Sequence, residues 1–63
     1  MPHLLFVVND TSFFLSHRLP IAKAAIARGY KVYLAASNTG GLDLIERAGI
    51  VFLPIFLDRA GRN

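Results

Sequence analysis

The segment NDTSFFLSHRLP, residues 9 to 20, holds most of the side chains of this 63-residue chain that could do chemistry. Arg18 could hold a phosphate or carboxylate, because a guanidinium and the free backbone N–H groups of a helix N-terminus can point at the same anion. Ser12 and Ser16 would add hydroxyl donors to that site. In an N-terminal turn a cation opposes the helix dipole, and a bound anion would remove the conflict.

Arg18 and Ser16 also have ordinary structural interpretations. Arg18 could pair with Asp10 or Asp58, and Ser16 could be the N-cap of a helix that begins near that residue. Pro20 fits such a start, because proline is tolerated in the first helical turn.

The neighbouring aromatic residues and the next turn are equally open. His17 could carry a proton or donate to a sugar hydroxyl, or it could be a half-buried histidine bonded to a backbone carbonyl. Phe13 and Phe14 could line an acceptor site, or they could pack the helix start against a sheet. The turn SNTGG, residues 37 to 41, could approach a phosphate through backbone N–H groups or simply connect two elements.

Several chemistries are excluded or disfavoured. The chain has no cysteine, and His3 and His17 are too few and too far apart to indicate a metal site. The turn after the first strand lacks the G-x-G-x-x-G pattern, and the second strand ends without an acidic residue, so nicotinamide cofactors are not expected. We find no paired carboxylates and no nucleophile with a partner base, so the chain alone is not expected to be a catalyst and no cofactor is predicted.

Composition and the N-terminal sequence predict a cytoplasmic protein with apolar surface that another part of a larger protein would cover. Hydrophobic residues make up 54% of the chain, above the roughly 45–50% of typical soluble domains, which suggests part of a larger protein. The net charge of +3 comes from scattered residues, so no nucleic-acid partner is expected, while weak attraction to an anionic membrane surface is compatible with it. No apolar run is long enough to cross a bilayer, and no signal peptide is visible.

Hydrophobic patterning predicts the order strand, helix, strand, helix, strand. The apolar runs predict strands at 3–9, 31–36 and 50–55, the first of them buried on both faces. A long helix is expected from about Ser16 to Gly29, with Leu15, Leu19, Ala22 and Ile26 at helical spacing. A short helix follows over LDLIERAG, with Asp43 early and Arg47 late. This is an α/β fold, a partial Rossmann-like β-α-β-α-β unit with three parallel strands, whose helices would leave one sheet face and an edge uncovered.

The segments FFLSHRLPIAKAA and GYKVYLA, followed by IFLDRAGRN, give the chain a family resemblance. Together they resemble the N-terminal domain of bacterial family 4 glycosyltransferases of the GT-B fold, over nearly the whole chain. The resemblance implies an incomplete acceptor-side domain over residues 1–63, a missing C-terminal domain that binds most of a nucleotide sugar, and an active site between the two. Many members have a glycine-rich turn after the first strand, which NDTSFF lacks.

The resemblance implies a loop facing the cleft over residues 9 to 14, and it places His17 and Arg18 at a helix N-terminus near donor phosphates or acceptor. The substrate-binding residues it implies are Asn9, Thr11, Ser12, Phe13, Phe14, His17 and Arg18. The expected function is transfer of a sugar from a nucleotide-sugar donor to a glycan or lipid-linked acceptor in surface polysaccharide or glycolipid assembly. The enzyme would be cytoplasmic or at the inner face of the membrane.

Two other functions compete with this one. The chain could be a non-catalytic interaction module that self-associates through its exposed sheet edge. A response-regulator-like domain is weaker, because such a fold needs clustered acidic residues after the first strand and Asp10 stands alone.

Overall fold

The computed structural model describes residues 1–55 as a three-stranded parallel sheet with three helices. Its elements are β1 (His3–Asp10), α1 (Thr11–His17), α2 (Leu19–Ala27), β2 (Lys31–Ser37), α3 (Leu42–Arg47) and β3 (Val51–Pro54). The strands lie in the order β1-β2-β3, and both neighbouring pairs are parallel. The predicted α/β class and the partial Rossmann-like unit are confirmed.

The helices cover one face of the sheet. Phe14 of α1, Ala22 of α2 and Ile45 of α3 are fully buried against alternate residues of the central strand. Those strand residues are Val32, Leu34 and Ala36, each with no exposed surface. The predicted helical positions Leu15, Leu19, Ala22 and Ile26 all pack in this core.

The opposite face of the sheet is bare within residues 1–55. Burial alternates along β1, so that Leu5 and Val7 are 54% and 66% exposed while Leu4 and Phe6 pack on the core. Leu53 of β3 is 42% exposed on the same face. The prediction that β1 is buried on both faces is therefore wrong for this part of the chain, whereas the prediction of an uncovered face is confirmed.

The long predicted helix is two helices that meet at Arg18. The C=O of Phe14 accepts from the N–H of Arg18 at 2.8 Å, and the C=O of Arg18 accepts from Ala22 at 3.1 Å. Pro20 has no N–H to give to the C=O of Ser16, and its ring clashes with that carbonyl in a continuous helix. The break follows from this proline, which lies at the second position of α2.

The helix start near Ser16 is therefore only partly right. It applies to α2, which has Pro20 in its first turn, but it omits α1, which begins directly after β1 at Thr11. The N-cap of α1 is Asp10, whose Oδ1 accepts from the N–H of Phe13 at 2.7 Å. The interpretation of Ser16 as an N-cap is wrong.

Helices α2 and α3 end just before the glycines that were predicted to stop them. Gly29 after α2 and Gly49 after α3 have φ of 92° and 89°, in the left-handed region where glycine carries no Cβ penalty. In α3, Asp43 lies in the first turn and Arg47 in the last, as predicted. Residues 56 to 63 lie outside the described part, and with them Asp58.

Candidate functional site

The carboxyl ends of β1 and β2 are joined by a cluster of hydroxyl groups. Thr11 is fully buried, and its Oγ1 donates to the C=O of Gly40 at 2.7 Å and accepts from the N–H of Thr39 at 2.9 Å. Thr39 Oγ1 in turn accepts from the N–H of Ser12 at 3.1 Å and lies 2.9 Å from Ser12 Oγ. These bonds fix the turn after β2 against the first turn of α1.

The turn of residues 38 to 41 is stabilised by its own side chains and glycines. The N–H of Gly40 donates to Asn38 Oδ1 at 3.0 Å, so this group already has a partner. Gly40 and Gly41 have φ of 119° and 75°, and a Cβ on Gly41 would collide with Leu15 Cδ1. The glycines thus serve the path of the chain and its close approach to α1, which supports the connecting-turn interpretation.

A second cluster lies on the solvent side of α1. The rings of Phe13 and His17 stack at 4.5 Å with an interplanar angle of 19°. The guanidinium carbon of Arg18 lies 5.6 Å from the centre of the Phe13 ring, within cation–π range. All three side chains are exposed, Phe13 by 40%. We call these three residues the aromatic–arginine cluster.

His17 and Arg18 were predicted at the N-terminus of a helix, and this is right for Arg18 but wrong for His17. His17 is in the last turn of α1, where the negative end of the dipole favours a positive charge. Arg18 is both the C-cap of α1 and the N-cap of α2, so one dipole favours it and the other does not. The conflict that suggested a bound anion is therefore absent at His17 and reduced at Arg18.

The hydrogen bonds of the cluster are local. His17 Nδ1 lies 3.3 Å from the C=O of Phe13, and Arg18 donates from Nη1 to the C=O of His17 at 3.4 Å. The interpretation of His17 as bonded to a backbone carbonyl is supported, although the ring is exposed rather than half-buried. The Asp10 carboxylate is engaged at the N-cap of α1, and Asp58, the other partner considered for Arg18, lies outside the described residues.

The seven residues implied by the resemblance separate into three groups. Asn9 is the next-to-last residue of β1 and is exposed, and Thr11 and Ser12 belong to the hydroxyl cluster. Phe14 is fully buried and meets Phe6 edge-on, with ring centres 5.4 Å apart. Phe13, His17 and Arg18 form the aromatic–arginine cluster. The expected loop over residues 9 to 14 is wrong, because these residues end β1 and begin α1.

The core interpretation is thus confirmed for Phe14, and Phe13 presents its ring to solvent. Thr39 and Asn38 were not named as site residues, although they shape the carboxyl edge of the sheet. The signal for Thr39 was its place after the second strand, beside the residues that follow the first.

Within residues 1–55, no group of three His, Cys, Asp or Glu side chains is placed to hold a metal ion. In the same residues, every helix is too short or too polar to cross a membrane. Comparison with protein-family models, curated proteins and solved structures finds no match to this chain.

Proposed function

We propose that this chain is the first β-α-β-α-β unit of the acceptor-side domain of a nucleotide-sugar-dependent glycosyltransferase. The observation that carries the proposal is the aromatic–arginine cluster, formed by the FFLSHR segment on which the sequence resemblance rests. An exposed cation held over an aromatic ring can meet a phosphate, while the ring offers an apolar surface to a sugar or lipid.

Arg18 is the residue proposed to meet negative charge. Its guanidinium is exposed and carries a fork of N–H donors that suits a diphosphate. Its backbone precedes the first turn of α2, where N–H groups lack intrahelical partners. In the complete enzyme Arg18 would stabilise the charge that develops on the departing nucleoside diphosphate or on a phosphate of the acceptor.

Phe13 and His17 are proposed to form the wall beside that charge. Their stacked rings present a flat surface to solvent, and His17 Nε2 can exchange a hydrogen bond with a sugar hydroxyl. Thr11 and Ser12 hold the turn after β2 in place, and Asn9 lies exposed at the end of β1. Phe14 supports α1 from the core.

The remaining parts of the activity are assigned to a second domain. That domain would bind most of the nucleotide sugar, and the acceptor would be a glycan or lipid-linked glycan, used in the cytoplasm or at the inner face of the membrane. A bare parallel-sheet face supports the proposal, because parallel sheets are found almost only with both faces covered. We expect no sugar transfer by the 63-residue chain alone.

The binding role is tested by nuclear magnetic resonance on the isotope-labelled chain titrated with uridine diphosphate. We expect shifts of the Phe13 and His17 amides and of the Arg18 side-chain N–H. Arg18→Gln should weaken binding about tenfold or more, since a hydrogen bond between charged groups contributes about 1.5–3 kcal/mol. Lys23→Gln, which removes an exposed cation from α2, is the control and should bind like the parent.

Two results would contradict the proposal. One is an absence of shifts at millimolar diphosphate. The other is equal weakening by Arg18→Gln and Lys23→Gln, which would indicate attraction by net charge alone. A separate assay of the purified chain with nucleotide sugars and saccharide acceptors should yield no product, and turnover would show that the chain is itself the catalyst.

A further inference from the structure

The outer edge of β1 presents unpaired backbone groups within residues 1–55. The N–H of Lys31 donates to the C=O of Pro2 at 2.8 Å, and His3 is the register partner of Lys31. In a parallel ladder, this pairing means that the even-numbered residues of β1 direct their backbone N–H and C=O groups toward β2. Over the regular part of the ladder, the odd-numbered residues His3, Leu5 and Val7 therefore direct their N–H and C=O groups outward.

Among residues 1–55, nothing gives this edge the usual protection against pairing. Edge strands are normally shortened, charged or interrupted by proline, and the run from Leu4 to Asn9 has neither charge nor proline. The side chains of Leu5 and Val7 are also exposed on the bare face. The opposite edge of the sheet is different, because β3 has four residues and ends at Pro54.

We propose that a second copy of this chain pairs with β1 along this edge, antiparallel and across a two-fold axis. A two-fold axis perpendicular to the sheet brings identical strands together in antiparallel order and keeps the helices of both copies on one side. Outward-facing residues must oppose each other in such a pair, and in the proposed register Leu5 of one copy lies opposite Val7 of the other. Phe6 lies on the axis.

Charge favours the antiparallel order. Asp10 lies at the carboxyl end of β1, and Lys31 of β2 is the register partner of His3 at the other end. Antiparallel pairing brings the basic end of each copy to the acidic end of the other, whereas parallel pairing would place like ends together. The ladder with β2 is irregular between Val7 and Asp10, so the central pairs of Leu5 and Val7 carry the contact.

The dimer should be weak. An edge contact of this length buries less than the roughly 1,200 Å² of a stable interface, so the dimeric fraction should rise with protein concentration. This inference does not depend on the proposed function, because it uses only the β1 edge.

Cysteine cross-linking tests the pairing directly, because the chain has no cysteine of its own. Opposed residues of a hydrogen-bonded antiparallel pair have Cα atoms about 5.5 Å apart, within the range that a disulfide spans. A mixture of Leu5→Cys and Val7→Cys chains should form the mixed disulfide faster than either chain forms its own. Leu53→Cys, on the same face but on β3, is the control and should cross-link slowly.

Equal cross-linking by Leu53→Cys would overturn the proposal, since it would show stacked faces or random collision. Faster self-cross-linking of Leu5→Cys than of the mixture would overturn the stated register.

Sedimentation velocity gives an independent test. The parent chain should show a dimer that grows with concentration, Val7→Lys should be monomeric, and Leu53→Lys should behave as the parent, with circular dichroism confirming the fold of each. A parent chain that remains monomeric up to millimolar concentration would overturn the proposal. Equal dissociation of the two lysine variants would do so as well, because it would point to face-to-face stacking.

Discussion

Thr11 and Thr39 are 28 residues apart in the chain, and the backbone N–H of Thr39 donates to the buried Oγ1 of Thr11 at 2.9 Å. The same hydroxyl donates to the C=O of Gly40 at 2.7 Å. One side chain thus satisfies a donor and an acceptor of the turn after β2, and it holds that turn against α1.

Replacing this hydroxyl with a methyl group should destabilise the chain. Thr11→Val keeps the shape of a fully buried side chain but leaves two backbone groups of the turn without a partner, at about 1–3 kcal/mol. Ser12→Ala removes a hydroxyl that is exposed, and it should cost less than about 1 kcal/mol. Urea unfolding followed by circular dichroism compares them, and similar midpoints would show that the Thr11 bonds are not specific.

Gly41 should not tolerate a side chain. Gly41→Ala adds a Cβ at a φ of 75° and into contact with Leu15 Cδ1, so it should cost about 1–2 kcal/mol in backbone strain and more from the displaced leucine. Gly29→Ala is the control, because its φ is 92° but no atom lies within 4 Å of the added Cβ. The larger loss is expected for Gly41→Ala, and Leu15→Ala in the same chain should remove the difference. Equal losses would assign the whole effect to backbone strain.

The adjacent phenylalanines should respond very differently to truncation. Phe14→Ala opens a cavity in the core and should cost about 3–5 kcal/mol, which can unfold a domain of this size. Phe13→Ala removes an exposed ring and should cost less than about 1 kcal/mol. Thermal unfolding measures both, with Phe14→Leu as a milder variant that stays folded. A Phe13→Ala chain that unfolds like Phe14→Ala would contradict the described packing.

The N-cap of α1 should make a measurable contribution. Asp10→Ala removes the acceptor of the Phe13 N–H and should cost about 0.5–2 kcal/mol, whereas Asp10→Asn keeps an acceptor oxygen and should recover most of the loss. Asp43→Ala, in the first turn of α3, removes a carboxylate that caps no N–H, and it should cost a few tenths of a kcal/mol. Chemical denaturation of the three variants decides this, and an equal loss for Asp10→Asn and Asp10→Ala would exclude a capping role.

The sequence pattern predicts the strands of this fold well, because they depend on apolar runs. It also predicts the ends of α2 and α3, because glycine is the residue type that most easily accepts a positive φ. The start of α1 was missed, although Asp10 is one of the residue types that cap helices. The family resemblance implied a loop over residues 9 to 14, whereas the chain passes from strand to helix with no residue between. The cap itself is local, but the bond that holds Thr11 against the turn after β2 joins residues 28 apart, which local periodicity does not encode.

For the candidate site, the sequence predicted which residues take part but not where they lie on the helices. The exposed aromatic–arginine cluster uses three residues that the sequence named, since residue type alone points to them. The placement of His17 and Arg18 at the C-terminal end of α1 depends on the proline that separates the two helices. The burial of Phe14 beside an exposed Phe13 depends on the phase of a helix whose first residue was not known.

The direct join of β1 to α1 also limits how the chain can vary in length. One residue inserted between Asp10 and Thr11 would rotate α1 by about 100° around its axis relative to the sheet. Phe14 would leave the core and the Thr11 hydroxyl would leave the turn it holds, so two unrelated stabilising contacts would fail together. Related chains should therefore differ at this join by substitution and very rarely by insertion or deletion.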